Sequence, residues 1–460
     1  MYFMKKLLSI NFLVVLFLGS LVGCQFFNGN EQDKDLNTNE IYNFEFWNKR
    51  AKHSEKLIMN QDEIKKFNNE LINDENVNII DLNKFDKVLS KSQLHKIISD
   101  YIQNSMPDET RYINDVELDA EYYDQIIKNI NLDEINDENI VNYGVVVNNT
   151  HIRTFPTDDV SYDEPNDFFI NLNCETGLKV CERALVLYTS ADRKYYFVKT
   201  DFYDGWVAVE DIALTDRNTW VKYDNLDDFL VVTGDYINLN YNLCNATTSE
   251  IKLIMGTKLP LINKKPNSVD KVSTESSYVV NLPIRDCNGI LEFVKARVPF
   301  NKDVNVGYLK YNQKNVLQQV FKLVGNVYGW SDLWSSRDCS SLVRDVYKCF
   351  GFNLPRNAGK QAKIFTSVDV SKMSVKEKKD FIKSQPVGSM VYMPGHVMMY
   401  IGNKDKEPYV IHAAYKAKIK NSEEERDEFY NSTVISKLSD LHKYSGESFL
   451  EVINYVLIFK

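Results

Sequence analysis

Arg337-Asp338-Cys339-Ser340-Ser341 decides the reading of this chain: a polar run around a single cysteine, set where a Gly- and Trp-containing loop gives way to a helix. Leu342, Val343, Val346, Tyr347 and Phe350 recur at three- and four-residue spacing, Gly351 stands where a left-handed cap belongs, and Pro355 follows. Cys339 therefore falls in the first helical turn. Unpaired N–H groups and the helix dipole favour a thiolate there, so the spacing predicts a lowered thiol pKa and a nucleophile active at neutral pH. Cys349, ten residues on in the same apolar helix, reads instead as a small hydrophobe.

A thiol nucleophile needs a base. His396 follows Met393-Pro394-Gly395 between two apolar runs, Ser389 to Met393 and Val397 to Ile401, and so reads as the first residue of a strand returning from a tight turn. His412 closes the next run, Tyr409-Val410-Ile411. A helix-opening cysteine, a histidine entering one strand and a polar residue on the next make up the nucleophile, base and orienter of a cysteine peptidase. His53, His95, His151 and His442 carry no such pattern.

Working outward, 460 residues give a prior of about three or four domains, and 44% hydrophobic content with 12% aromatic residues is ample for packed cores. A net charge of −9 without a basic stripe excludes nucleic acid as a partner. Lys5-Lys6 precede an apolar run from Leu7 to Leu18, too short for a good membrane span, and Leu21-Val22-Gly23-Cys24 ends it. The segment resembles a bacterial lipobox, which implies cleavage after Gly23, a lipid on Cys24 and an exported protein anchored to a bacterial membrane. Gln25 favours the outer membrane, facing the periplasm, in a Gram-negative host. In that oxidising compartment Cys174 and Cys181, flanking a Gly-containing turn, are candidates for a small disulfide. Their spacing misses the zinc pattern, and no metal or cofactor is expected.

The polar segment 24–42 reads as a flexible spacer between lipid and body. Residues 43–140 carry helical periodicity, with Asn60 and Glu63 as a capping box and an amphipathic stretch through Leu89, Leu94, Ile97, Ile98 and Tyr101. Near Val141 the period becomes that of strands. Short runs at Tyr143–Val147, Ala184–Tyr188, Tyr195–Val198 and Gly205–Ala208, then at Phe229–Val232, Tyr236–Leu239, Lys258–Leu261, Tyr278–Val280 and Leu291–Val294, are most simply two consecutive five-stranded barrels, 141–215 and 216–300. Residues 301–460 hold the cysteine and both histidines.

Val304 to Leu309, Val324-Gly325-Asn326-Val327-Tyr328-Gly329-Trp330, Asp338-Cys339-Ser340, Leu354-Pro355-Arg356-Asn357 and Gly395-His396-Val397 together resemble the NlpC-type cell-wall cysteine peptidases. The barrels resemble bacterial SH3 domains in Tyr143-Gly144, Ile152-Arg153-Thr154-Phe155-Pro156-Thr157 and Asp204-Gly205-Trp206-Val207, and the helical part resembles the N-terminal stabilising region of such lipoproteins. The implied fold class is multidomain α+β: a helical N-terminal region, two small SH3-like barrels and a papain-like peptidase domain. The implied activity is hydrolysis of γ-D-glutamyl–diamino acid bonds in peptidoglycan stem peptides, with Cys339 as nucleophile, His396 as base and His412 as orienter. Asp338 and Ser340 would line the site, Tyr328 would face substrate near the oxyanion, and Arg356 would sit on the recognition side.

Two departures stand out. Ser331-Asp332 follows Trp330 where family members commonly have a Gly-Gly pair, and Asn357 stands where endopeptidases selective for a free N-terminal L-Ala can present Asp. An amide cannot supply the charge that pairs with an amine. Murein amidase or acyl-transfer chemistry on the same scaffold, and a non-catalytic wall-binding lipoprotein, therefore remain alternatives.

Overall fold

Asn60 caps helix α1 (Gln61–Ile72) in the computed structural model: its side chain accepts from Asp62 and Glu63 N–H, and the Glu63 carboxylate reaches back to the Asn60 N–H. The structure describes residues 38–459 apart from 78, 168, 224, 225 and 423. The leader 1–23, Cys24 and the spacer up to 37 lie outside the described residues. Residues 38–43 belong to a separate unit and carry a 3₁₀ turn, Thr38–Tyr42. Among the described residues no helix is long and apolar enough to cross a membrane.

Helix α1 buries Ile64, Phe67 and Leu71, and the Phe67 ring packs against Phe352, Phe365 and Phe459. Helix α2 (Lys91–Ser105) opens on a second capping box, Ser90 with Gln93, and buries Leu94, Ile98 and Ile102. Helix α3 (Ala120–Ile130) is capped by Asp119 and ends on Asn131 in the left-handed region. The helical periodicity hides a two-stranded pair here, Val88–Ser90 with Glu138–Ile140.

The first β region has seven strands rather than five: β1 (Asn142–Val146), β2 (Thr150–Arg153), β3 (Cys174–Leu178), β4 (Arg183–Thr189), β5 (Tyr195–Lys199), β6 (Asp204–Ala208) and β7 (Ile212–Thr215). They form one antiparallel sheet in the order β7-β1-β4-β5-β6-β2-β3. Three strands have no counterpart among the runs read from the sequence, β2, β3 and β7; β2 and β3 alternate buried and half-buried positions, but several of the buried ones are Thr150, Cys174 and Thr176, which give little apolar signal. Cys174 and Cys181 are both free thiols. Strand β3 carries the chain away from Cys174 for five residues. Cys174 stands opposite Arg153 at one end of β2, whereas the Cys181 N–H bonds the Val146 carbonyl beyond the other end, so the length of β3, about 13 Å at 3.3 Å per residue, separates thiols that a disulfide needs within about 7 Å.

The second β region also departs from a single five-stranded unit. Phe229–Val232 lies between Lys258–Pro260 and Val304–Val306 in a three-stranded sheet, beside two-stranded pairs of which Ser277–Arg285 with Leu291–Pro299 is the longest. One hydrophobic core runs through all of this. Leu94 and Ile98 from α2, Phe197 and Trp206 from the first sheet, and Leu230, Leu253 and Val298 from the second region belong to the same buried cluster.

The C-terminal part sets helices α4 (Gln313–Phe321) and α5 (Cys339–Lys348) on a largely antiparallel sheet. Its strands are β8 (Ser367–Asp369), β9 (Met390–Met393), β10 (His396–Lys404), β11 (Glu407–Lys420), β12 (Glu425–Lys437), β13 (Leu441–His442) and β14 (Tyr455–Leu457). Their order is β8-β14-β9-β10-β11-β12, with β13 on β11. His412 does not end its run; it lies in the middle of β11, which continues eight residues further.

Buried ion pairs fasten α5 to both β regions. Arg337 joins Asp345 at 2.8 Å and also Asp235, Lys179 joins Asp345, and Lys348 joins Glu182. Burial pulls the Lys179 ammonium down to about 8 even against Asp345.

Candidate active site

Asp338 is the N-cap of α5. Its carboxylate accepts from the N–H groups of Ser340 and Ser341 at 3.1 and 3.0 Å, and the Ser341 hydroxyl receives the Asp338 N–H at 3.0 Å. The Leu342 N–H goes to the Asp338 carbonyl. That leaves the Cys339 N–H as the donor of the first turn that the cap does not take.

The Cys339 side chain is 9% exposed. Its sulfur lies against the backbone N–H groups of Ser340 and of Val397, the residue after His396, so the thiol and the start of β10 meet. Contrary to the sequence expectation, the thiol is not acidified at rest. Burial, helped by the Asp338 charge, pushes it up to about 12, outweighing the pull of those N–H groups and of Arg356. The helix dipole favours the thiolate only where water or a counter-charge also solvates it.

Pro394-Gly395 turns the chain between β9 and β10, pairing Met393 with His396, and Gly395 takes the positive φ of +80° that this turn needs. His396 Nε2 lies 2.8 Å from His412 Nδ1, which leaves His396 Nδ1 as its second nitrogen. Burial holds His396 down at about 4, with Asp338 opposing, and burial together with the His396 ring holds His412 well below the ordinary range. Both rings are neutral at pH 7. A half-buried neutral imidazole and a buried neutral thiol make a general base awaiting a proton, not a resting ion pair. The third link was not read from the sequence: His412 Nε2 lies 3.1 Å from Ser436 Oγ on β12. A polar residue inside the run Thr433-Val434-Ile435-Ser436 was its only signal.

Arg356 is buried under the nucleophile. Its guanidinium forks onto Asp338, with Nη2 at 2.6 Å and Nη1 at 3.1 Å, and reaches Ser340 Oγ at 2.8 Å and Thr176 Oγ1 of β3 at 2.7 Å. Asp332 lies 3.4 Å from its Nε. Asp338, Ser340 and Arg356 are thus bonded to one another as well as placed beside Cys339. Tyr328 is buried, with its N–H on the Asn431 carbonyl at 2.7 Å. Burial together with Asp338 and Cys339 keeps its hydroxyl protonated. Tyr415, thrown forward by a β-bulge between β11 and β12, sets its ring 6.2 Å from that of Tyr328. Asn357 starts the short helix Ala358–Gln361 without a side-chain cap bond, and Tyr203 connects it to the Glu175 carboxylate of β3.

The departure at Ser331-Asp332 has a structural counterpart. Both residues are left-handed, with φ of +52° and +69°, the conformation that a Gly-Gly pair adopts without steric cost. Asp332 offsets the strain: its carboxylate accepts from Gly177 N–H at 3.0 Å and Thr176 Oγ1 at 3.2 Å, while its carbonyl meets His151 Nε2 at 3.2 Å.

This is a helix-borne thiol, a histidine at a strand start and a second histidine behind it. Residues 325–437 match the NlpC/P60 family. That stretch, in a family of cell-wall peptidases, holds Cys339, His396, His412 and Ser436. No curated protein matches the sequence. Among solved structures, the chain is similar to an NlpC/P60 endopeptidase from Photobacterium damselae subsp. piscicida, with a TM-score of 0.71 at 18% identity over 90% of this chain and 97% of that one. That similarity establishes a shared fold. An NlpC/P60 family protein from Bacillus cereus ATCC 10987 follows at 19% identity and a TM-score of 0.43, over 62% of this chain and 82% of that one.

Proposed function

We propose that this protein is an exported cell-wall hydrolase, lipid-anchored through Cys24, that cleaves γ-D-glutamyl–diamino acid amide bonds in peptidoglycan stem peptides. Its two β regions act as SH3-like modules on one side of the cleft. The observation that carries the reading is the 2.8 Å approach of His396 Nε2 to His412 Nδ1, because it leaves Nδ1 as the His396 nitrogen that can serve the thiol.

In this reading neutral His396 takes the Cys339 proton as the sulfur attacks the amide carbonyl. The carbonyl oxygen gathers negative charge beside the Cys339 N–H and the protonated Tyr328 hydroxyl. The imidazolium returns its proton to the leaving amine of the diamino acid, leaving a thioester on Cys339. Water, deprotonated by the same histidine, attacks the thioester and frees the D-glutamyl carboxylate. A thiol held near 12 suits this concerted transfer, since the nucleophile forms only when a carbonyl is in place to receive it. Asn357 offers an amide where a free peptide amine would call for charge, so the reading extends to peptides whose N-terminus is blocked.

Digestion of muropeptides with wild type and Cys339→Ala, followed by mass spectrometry, tests this. New D-glutamyl carboxyl ends made by the wild type alone support the endopeptidase. Free lactyl groups would transfer the assignment to an amidase, and undiminished cleavage by Cys339→Ala would end the cysteine mechanism. Comparing stem peptides with and without a free N-terminal amine reads the role of Asn357.

A further inference from the structure

The hydrogen bonds behind the nucleophile form a line of three: His396 Nε2 to His412 Nδ1 at 2.8 Å, then His412 Nε2 to Ser436 Oγ at 3.1 Å. Register places the serine. Val434 lies opposite His412 and Ser436 opposite Val410, so Ser436 is the diagonal neighbour of His412 on the same face of the β11–β12 ladder. Both His412 and Ser436 are buried.

The line can be protonated in two ways, and only one of them is reactive. For His396 to accept the thiol proton, its Nδ1 must be bare. Its hydrogen is then on Nε2 and donates to His412 Nδ1. His412 in turn carries its hydrogen on Nε2, where it needs an acceptor, and Ser436 Oγ lies there. In the opposite arrangement His412 donates from Nδ1 to His396 Nε2, which puts the His396 hydrogen on Nδ1, so that nitrogen cannot take the thiol proton. We propose that Ser436 is a positioning residue that makes the reactive tautomer of both histidines accessible, by supplying the acceptor that the His412 Nε2 hydrogen needs in that tautomer alone.

Taking the hydroxyl away makes the two arrangements unequal in the wrong direction. A buried N–H without an acceptor is costly, whereas a bare ring nitrogen is tolerated more easily. Without Ser436 Oγ, His412 therefore moves its hydrogen to Nδ1, and His396 follows into the unreactive form. A neutral histidine pair is the condition for this selection, and burial keeps both rings neutral at pH 7.

This inference rests on the cysteine-hydrolase reading, and the experiment separates the two. The full chain is prepared as wild type and as Ser436→Ala, Ser436→Thr and Ser436→Val. Threonine and valine have nearly the same shape, and threonine alone keeps the hydroxyl. The rate at which iodoacetamide alkylates Cys339, followed by mass spectrometry of its peptide, requires no knowledge of the substrate, and ¹⁵N signals of His412 report which nitrogen carries the hydrogen. Alkylation about tenfold slower in the alanine and valine variants, recovery to within about twofold in threonine, and movement of the His412 hydrogen to Nδ1 only where the hydroxyl is gone are expected. A valine variant that alkylates as fast as threonine, or an unchanged His412 tautomer in the alanine variant, overturns the role of Ser436. Muropeptide digestion that is undiminished in Cys339→Ala, with His412 of the wild type already in the Nε2–H form, overturns the hydrolase reading and leaves the tautomer assignment standing.

Discussion

Replacing Arg356 by methionine removes one guanidinium from four attachments at once: the forked pair with Asp338, the Ser340 hydroxyl, Thr176 of the first sheet, and Asp332 of the strained loop. Methionine fills much of the volume, so the loss is electrostatic rather than a cavity. Two carboxylates, Asp338 and Asp332, are left with a hole where their cation stood. Breaking a buried pair by removing one partner costs about 3–5 kcal/mol, because the surviving charge is stranded. Urea unfolding followed by tryptophan fluorescence should show a loss of that size. Asp338→Asn leaves the arginine half-served and should cost a comparable amount. In Arg356→Met/Asp338→Asn no charge is stranded at the helix cap, so the double variant should be more stable than the sum of the singles by about 2 kcal/mol or more. Asp332 still lacks its cation in the double variant, and its bonds to Gly177 and Thr176 offset only part of that, which is why recovery is expected to be incomplete. Additive losses, or an Arg356→Met loss below about 1 kcal/mol, would refute the view that this pair anchors the nucleophile helix.

Other expectations follow from the same geometry. Because burial holds His396 near 4, kcat/KM on a muropeptide should persist below pH 6.5 and fall as the pH approaches 4; a half-activity point at or above 6.5 would contradict the placement of the ring. The sign for stability is the same: the folded pKa lies below the unfolded one, so the unfolded chain binds the extra proton and stability is lost as pH falls from 6.5 toward 4. Ser331→Gly should raise stability by about 0.5–1 kcal/mol by relieving the φ of +52°, measured by urea midpoint. Asp332→Gly should not, since it discards the bonds to β3 along with the strain.

How much could be read from the chain depended on whether a residue's role is local. The nucleophile helix was legible because its cap, its apolar spacing and its glycine stop are all neighbours in sequence, and the turn before His396 because Pro-Gly names itself. Ser436 was not, because its role comes from pairing β12 against β11, a contact no periodicity specifies. The strands β2 and β3 were missed where buried threonine and cysteine stood in for aliphatic residues. The expected thiolate failed for a different reason: dipole and cap are local and visible, but the burial that opposes them is supplied by β10 and the surrounding fold. Arg356 shows both sides, since its place near the cysteine followed from the motif while its bond to Thr176 joins residues 180 apart.

The ion pairs that fasten α5 to the two sheets bear on how such a chain can be rearranged. Lys179 and Glu182 stand on the first β region, Asp235 on the second, and their partners Asp345, Lys348 and Arg337 on or just before the nucleophile helix. Each junction is a buried or half-buried charge on one module completed by a charge on another. An exchange of the β regions for those of a relative would have to bring matching charges at three places simultaneously, or leave unpaired ions along the helix that carries Cys339. The modules follow one another along the chain, yet these pairs join them into one electrostatic unit, and a change at any of these positions is felt by the helix that carries the nucleophile.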